Sequence, residues 1–159
     1  MKLSGLVDPH HPVVSRLAAQ VDATADGDAE RVLTQVCDLL SHWRMLGRFG
    51  PADYNDVERQ RAGNCIDFAT IACATQRRLG VKTAYVLLGA ERQSFPAVMH
   101  TWMVTADAHR WYLVDPRDWK VVPHDPADIE NTLTVSALFN DTDIAMTTSD
   151  RSRVWAAEL

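Results

Sequence analysis

The sequence predicts an α+β fold in which N-terminal helices and a cysteine-bearing helix pack on an antiparallel sheet. Three observations carry this. Apolar residues recur at three- and four-residue spacing through the first part of the chain, the period of helices with one buried face. The segment that opens at Cys65 is apolar round most of its circumference, as expected of a helix inside a core. Between Thr83 and Asp115 lie three strand-length runs flanked by Pro and polar residues.

The chain has 159 residues, 47% of them hydrophobic, which suits a single domain over 1–159 with an ordinary core. Its net charge is −5, from 16 basic and 21 acidic residues, and the basic ones are scattered. Binding to a phosphate backbone depends on clustered Lys and Arg, so no nucleic-acid partner is expected. No run is apolar enough for a signal peptide or a bilayer span, so no membrane association and a cytoplasmic location are expected. Cys37, Cys65 and Cys73 are odd in number and lack close pairing, which argues against a disulfide framework. Cys37 and Cys73 read as reduced core thiols.

Taken in order, Met1 to His11 reads as an irregular arm, with His10 and His11 as solvated turn residues. Pro12 suits the first position of a helix whose stripe is Val13, Val14, Leu17, Ala18 and Val21. Asp22 to Gly27 breaks it. Asp26 or Asp28 caps a longer helix with Val32, Leu33, Val36, Leu39, Leu40 and Trp43 on one side, expected to end at Gly47. Arg48 to Ala62 reads as a loop that delivers the chain to Cys65, with Tyr54 a candidate substrate contact. Asn64 is a good N-cap, able to accept from the backbone N–H of Ile66 or Asp67. Cys65 then occupies the first helical position. Arg77 and Arg78 in the last turn and Gly80 just beyond give a favourable charge bias and a left-handed stop.

Thr83 to Leu88 is a short apolar run suited to a strand covered on both faces. Val98 to Val104 and Arg110 to Asp115 follow, with His100 and Trp102 on one face of the first and Trp111, Leu113 and Asp115 on one face of the second. A hairpin centred between Asp107 and Ala108 sets His100 directly opposite Asp115, with β-carbons about 5 Å apart. Beyond Pro116, Trp119 to Val122 is a further strand candidate, His124 to Asp128 reads as a turn, and Asn131 to Phe139, Ile144 to Thr148 and a turn at Trp155 are apolar enough to pack.

A thiol at a helix N-terminus, an imidazole on a strand and a carboxylate opposite it are the parts of a cysteine nucleophile. His100 would take the Cys65 proton, Asp115 would orient the ring, and the Cys65 backbone N–H would meet a developing oxyanion. Asp67, in the same first turn, is expected to cap the helix or face water, since an inward charge would oppose a thiolate. Trp102 is a further candidate substrate contact.

Gly63-Asn64-Cys65 heading a helix that ends Arg78-Leu79-Gly80-Val81, then His100-Thr101-Trp102, then Trp111-Tyr112-Leu113-Val114-Asp115-Pro116, resembles the transglutaminase-like superfamily in order and spacing. The resemblance covers a core of about 13–119 and leaves 120–159 as a C-terminal extension. It implies a papain-like fold with Cys65 as nucleophile, His100 as base and Asp115 as orienting acid. Asn64 stands where some relatives carry Gln, which makes it a candidate auxiliary oxyanion donor. The implied activity is acyl transfer from an amide or ester through a Cys65 thioester. Water as acceptor makes a peptidase or amidase, and an amine makes a transamidase. The substrate is accordingly a peptide, a protein or a small amide or amine, with no cofactor or metal required. Three other readings compete: an inactive peptide-binding module on the same scaffold; an acyl carrier, since Arg61 to Cys65 is similar to the nucleophile region of arylamine N-acetyltransferases; and a zinc site of Cys65, His100 and Asp115, which lacks a closely spaced ligand pair.

Overall fold

The computed structural model describes residues 2–22, 28–93 and 96–156. A short 3₁₀ turn at Leu3–Leu6 precedes α1 (Pro12–Ala18) and α2 (Ala29–Ser41). Pro12 starts α1 as its fixed φ allows, and the His11 Nδ1 accepts from Val13 N, so His11 is a cap rather than a solvated turn residue. Asp28 caps α2 through Arg31 N; Asp26, the other candidate, lies outside the described residues.

Two expectations for the next stretch fail. The second helix stops at Ser41, and Arg44–Met45 forms a short parallel pairing, β1, with Ala62–Gly63, β2. The region 48–62 is not all loop, because Asp53 caps a helix, α3 (Tyr54–Gln60), which buries Val57. One buried residue in two turns leaves almost no apolar periodicity to read.

The cysteine-bearing helix α4 (Cys65–Arg78) forms the axis of the molecule, with every residue from Asp67 to Gln76 buried. On one side it packs α1 and α2; on the other it packs the sheet through β3 (Ala84–Glu91) and β4 (His100–Ala106). Phe68 and Ile71, both under 2% exposed, each contribute roughly 1.5–3 kcal/mol of burial. Gln76 ties helix to sheet: its Nε2 donates to Ala72 O, and its Oε1 accepts from the Thr105 hydroxyl at 2.7 Å. Gly80 ends the helix in the left-handed region, at φ 92.

After β5 (Trp111–Val114) come β6 (Val122–His124), α5 (Pro126–Thr132), β7 (Leu133–Phe139), β8 (Ile144–Ala145) and α6 (Thr148–Trp155). The residues 124–128 expected as a turn instead run into α5, with Pro126 at its start. The main sheet is antiparallel, in the order β6-β5-β4-β3-β7-β8. Its far face holds a second cluster built on Leu87, Trp102, Val104, Trp111 and Leu138. Gly89 sits at a bulge against β7, where a β-carbon would come within 2.4 Å of Thr134 O.

The β4–β5 register also departs from expectation. Ala106 pairs with Trp111 and Met103 with Val114, so one more step sets Asp115 opposite Trp102, two residues from His100. Asp107 decides this. Its Oδ1 accepts from His109 N and Arg110 N at 2.8 and 2.9 Å, which centres the turn on Ala108 and His109 instead of one residue earlier. A two-residue slip preserves the face, so the pair becomes diagonal rather than directly opposed.

Candidate active site

Residues at the tip of α4 hold one another in place. Asn64 is extended, its Oδ1 accepts from Asp67 N at 3.0 Å, and Asp67 Oδ2 accepts from Asn64 N at 2.9 Å, a reciprocal capping box. Cys65 therefore stands at the first helical position, where backbone N–H groups lack intrahelical partners and the helix end favours an anion. Asp67 does cap, but it does not face water. Its side chain is 1% exposed and is paired with the Arg48 guanidinium, while Oδ1 accepts from Ala52 N at 2.7 Å.

Asn64 is unsuited to the oxyanion role considered for it. Its Oδ1 is spent on the cap, and its Nδ2 donates to Gly50 O at 2.6 Å and to Arg48 O at 3.1 Å. Both N–H bonds are thus used to strap the 48–52 loop over the helix tip. The backbone N–H of Cys65 is the donor that remains suited to an oxyanion.

His100, the first residue of β4, donates from Nε2 to Asp115 Oδ1 at 2.9 Å despite the shifted register. That leaves Nδ1 for the Cys65 thiol, with which the ring is hydrogen-bonded. Cys65 also receives hydrogen bonds from the Thr101 hydroxyl and the Thr101 backbone N–H. Asp115 is held from its other side by Arg117, whose Nε lies 2.9 Å from Oδ2 and whose backbone N donates to Oδ1 at 2.9 Å. The same guanidinium reaches Glu91 Oε1 at 3.0 Å. The result is a continuous series from Glu91 through Arg117, Asp115 and His100 to the sulfur.

Burial pushes the Cys65 thiol up, but hydrogen bonds from His100 and Thr101 and the His100 charge outweigh it, so its pKa falls below the ordinary thiol value. For His100 burial acts downward and is overcome by the hydrogen bonds to Asp115 and Cys65, which push it up to about 9. Asp115 likewise resists burial, because His100 and Arg117 hold it well below the usual carboxylate range. A proton thus belongs on the imidazole near neutral pH, facing a thiol whose anion is favoured. The other two cysteines differ: burial pushes Cys37 up to about 12 and Cys73 further still.

Cys65, His100 and Asp115 therefore meet, whereas two other expected site residues do not reach the thiol. Trp102 is 3% exposed in the far-face cluster, with its ring edge-on to His100 at 4.5 Å between centroids. It supports the imidazole and is too buried to meet substrate. The Tyr54 hydroxyl donates to Leu6 O and accepts from Asp8 N, and its ring stands 4.9 Å from His11. Tyr54 ties the N-terminal arm to α3. Sequence reading missed Arg48, Thr101 and Arg117. Arg117, two residues past Asp115, is at Asx-turn spacing and could have been found; Arg48, 19 residues from Asp67, gives no local sign.

No group of three or more His, Cys, Asp or Glu side chains among the described residues is placed to hold a metal ion. The site's own donors are occupied by one another. No helix among the described residues is long and apolar enough to cross a membrane.

A search of curated proteins by sequence finds no match. Among solved structures, LapG of Legionella pneumophila superposes with a TM-score of 0.61 at 16% identity, covering 91% of this chain and 82% of that one. Its calcium-bound form matches 84% of this chain and 76% of that one at 15% identity, again with a TM-score of 0.61. A protein of Cytophaga hutchinsonii described as a candidate cysteine protease matches at 0.54 and 19% identity; 96% of this chain corresponds to 48% of that one. These likenesses establish a shared α+β, papain-like fold. The family model of the transglutaminase-like superfamily matches residues 15–116, from within α1 to the residue after Asp115. Spanning well over half the chain and all three residues that meet at the helix tip, that match makes this protein a member of the transglutaminase-like superfamily.

Proposed function

We propose that the protein is a cysteine-dependent acyl-transfer enzyme that acts on an amide or ester through a thioester at Cys65. The observation that carries this is the placement of His100, in contact with Cys65 through one ring nitrogen and with Asp115 through the other. In the proposed reaction the Cys65 thiolate attacks the carbonyl carbon, a C–S bond forms, and the carbonyl electron pair moves to oxygen. The Cys65 backbone N–H donates to that oxyanion. Collapse breaks the bond to the leaving amine or alcohol, which takes the proton from the His100 imidazolium. Neutral His100 then accepts a proton from water or an amine as it attacks the thioester. The C–S bond breaks and the thiolate and imidazolium are restored. Asp115 keeps the ring aimed and stabilises its cationic form without being protonated.

Water as acceptor gives a peptidase or amidase and an amine gives a transamidase, and the same three residues serve both. Mass spectrometry of the protein incubated with activated acyl substrates tests the proposal. An acyl adduct on Cys65 that water or an added amine discharges is expected. Turnover that persists in a folded Cys65→Ala variant would refute it.

A further inference from the structure

Two stretches with exposed apolar side chains adjoin the site, one strapped to Asn64, the residue before Cys65, and one running into His100. Phe49 is 98% exposed. It is not at the tip of a loose loop: its neighbours Arg48 and Gly50 have their carbonyls bound by Asn64 Nδ2, and Arg48 Nη1 donates to Gly50 O at 2.9 Å. The same strap is fixed again through Ala52 N and the Arg48 guanidinium on Asp67. An aromatic ring is thus presented to solvent on a backbone secured to the residue preceding Cys65. On the other element Val98 and Met99, 60% and 54% exposed, lead directly into His100. The segment 96–99 carries no charge, and the nearby cation Arg48 is already committed to Asp67.

Solvating a large apolar side chain on a rigid support forgoes burial worth roughly 1.5–3 kcal/mol, and apolar residues that collect at one place on a surface mark a binding site. We infer that Phe49, Val98 and Met99 form the substrate-recognition rim of the Cys65 site and select extended peptide segments with bulky apolar side chains beside the reacting carbonyl. A peptide suits this rim because one stretch is tied to the residue before Cys65 and the other runs into His100, so side chains spaced along a chain are what would meet both. Acidic or basic segments would find no countercharge on either element. The inference rests on the acyl-transfer reading for the chemistry, and on the exposed rim alone for the binding.

The test uses two peptidyl vinyl sulfones of equal length, one rich in Leu and Phe and one rich in Glu and Ser. Labelling of Cys65 is followed by mass spectrometry, with each rate taken relative to alkylation by iodoacetamide, which needs the thiolate but no peptide contact. The apolar probe is expected to react about tenfold faster, and Phe49→Ser or the pair Val98→Ser and Met99→Ser should each cut that preference by about threefold or more. Equal rates for the two probes, or a preference unaffected by both variants, would overturn the inference. If Cys65 reacts with neither probe, the acyl-transfer reading falls. The rim is then judged by fluorescence anisotropy of the same apolar peptide without its warhead: binding lost in Phe49→Ser sustains it, and no binding to the wild-type protein refutes it.

Discussion

Iodoacetamide should alkylate Cys65 in the native protein well before Cys37 or Cys73, and the size of the difference follows from the surroundings of each sulfur. Burial pushes Cys37 up to about 12, whereas the donors at the α4 tip bring Cys65 below the ordinary thiol value of 9.0. The difference is more than about a thousandfold in thiolate fraction near neutral pH. A more acidic thiol is a weaker nucleophile, with a Brønsted slope of about 0.4–0.5, which returns part of that advantage. About thirtyfold or more remains, before counting that Cys65 is partly exposed while the other two are buried. Peptide mapping at short times, repeated from pH 5 to 10, gives each rate. For His100→Ala, loss of one charge-assisted hydrogen bond of about 1.5–3 kcal/mol should reduce the Cys65 thiolate at pH 7 by about tenfold or more and move its midpoint upward. Native-state labelling of Cys37 or Cys73 within about threefold of Cys65, or a Cys65 profile unchanged by His100→Ala, would refute the account of the site.

Three further outcomes are expected. Arg48→Met strands the buried Asp67 carboxylate with only backbone donors, at a cost of about 3 kcal/mol and a fall of about 6–12 °C in Tm by thermal denaturation. Gly89→Ala forces a β-carbon onto Thr134 O at the bulge opposite His100, and chemical denaturation should show a loss of about 1–3 kcal/mol. Arg117→Ala removes a half-exposed cation from Asp115, so the His100 imidazolium gains and the alkaline limb of the activity profile, set by His100 near 9, moves up by about half a unit or less, with Arg117→Lys restoring most of it.

The helix at Cys65 was legible because every local signal agreed: Asn64 as cap, basic residues in the last turn, Gly80 at the stop. The strands were legible as elements but not in register, because register turned on one side chain. Asp107 at the start of the turn binds two backbone N–H groups, and hydrophobic alternation cannot see that, since a two-residue slip leaves every face unchanged. Helix α3 escaped because it buries only Val57, so its capping residue Asp53 was the sole clue. The choices of Trp102 and Tyr54 failed for a related reason. Residue type says that an aromatic ring has both an apolar body and a polar edge, but only the packing says which of them faces the thiol.

Two carboxylates of the site, Asp67 and Asp115, explain its two arginines. A carboxylate in the first turn of α4 competes with a Cys65 thiolate for the positive helix end, and Asp67 is such a carboxylate, two residues away and almost fully buried. Arg48 cancels its charge while the capping box still uses its oxygens. Asp115 poses the opposite problem. Left with a full uncompensated charge, it would draw the imidazolium so firmly that His100 would give up its proton reluctantly to a leaving group. Arg117 takes up part of that charge and hands the rest to His100. With each carboxylate matched by a guanidinium, the charge that would shift in the proposed acyl transfer is confined to Cys65 and His100. Charge reversal provides the discriminating case: Arg48→Glu should suppress the Cys65 thiolate more than Arg48→Met does, whereas a purely structural strap would leave the alkylation midpoint the same in both.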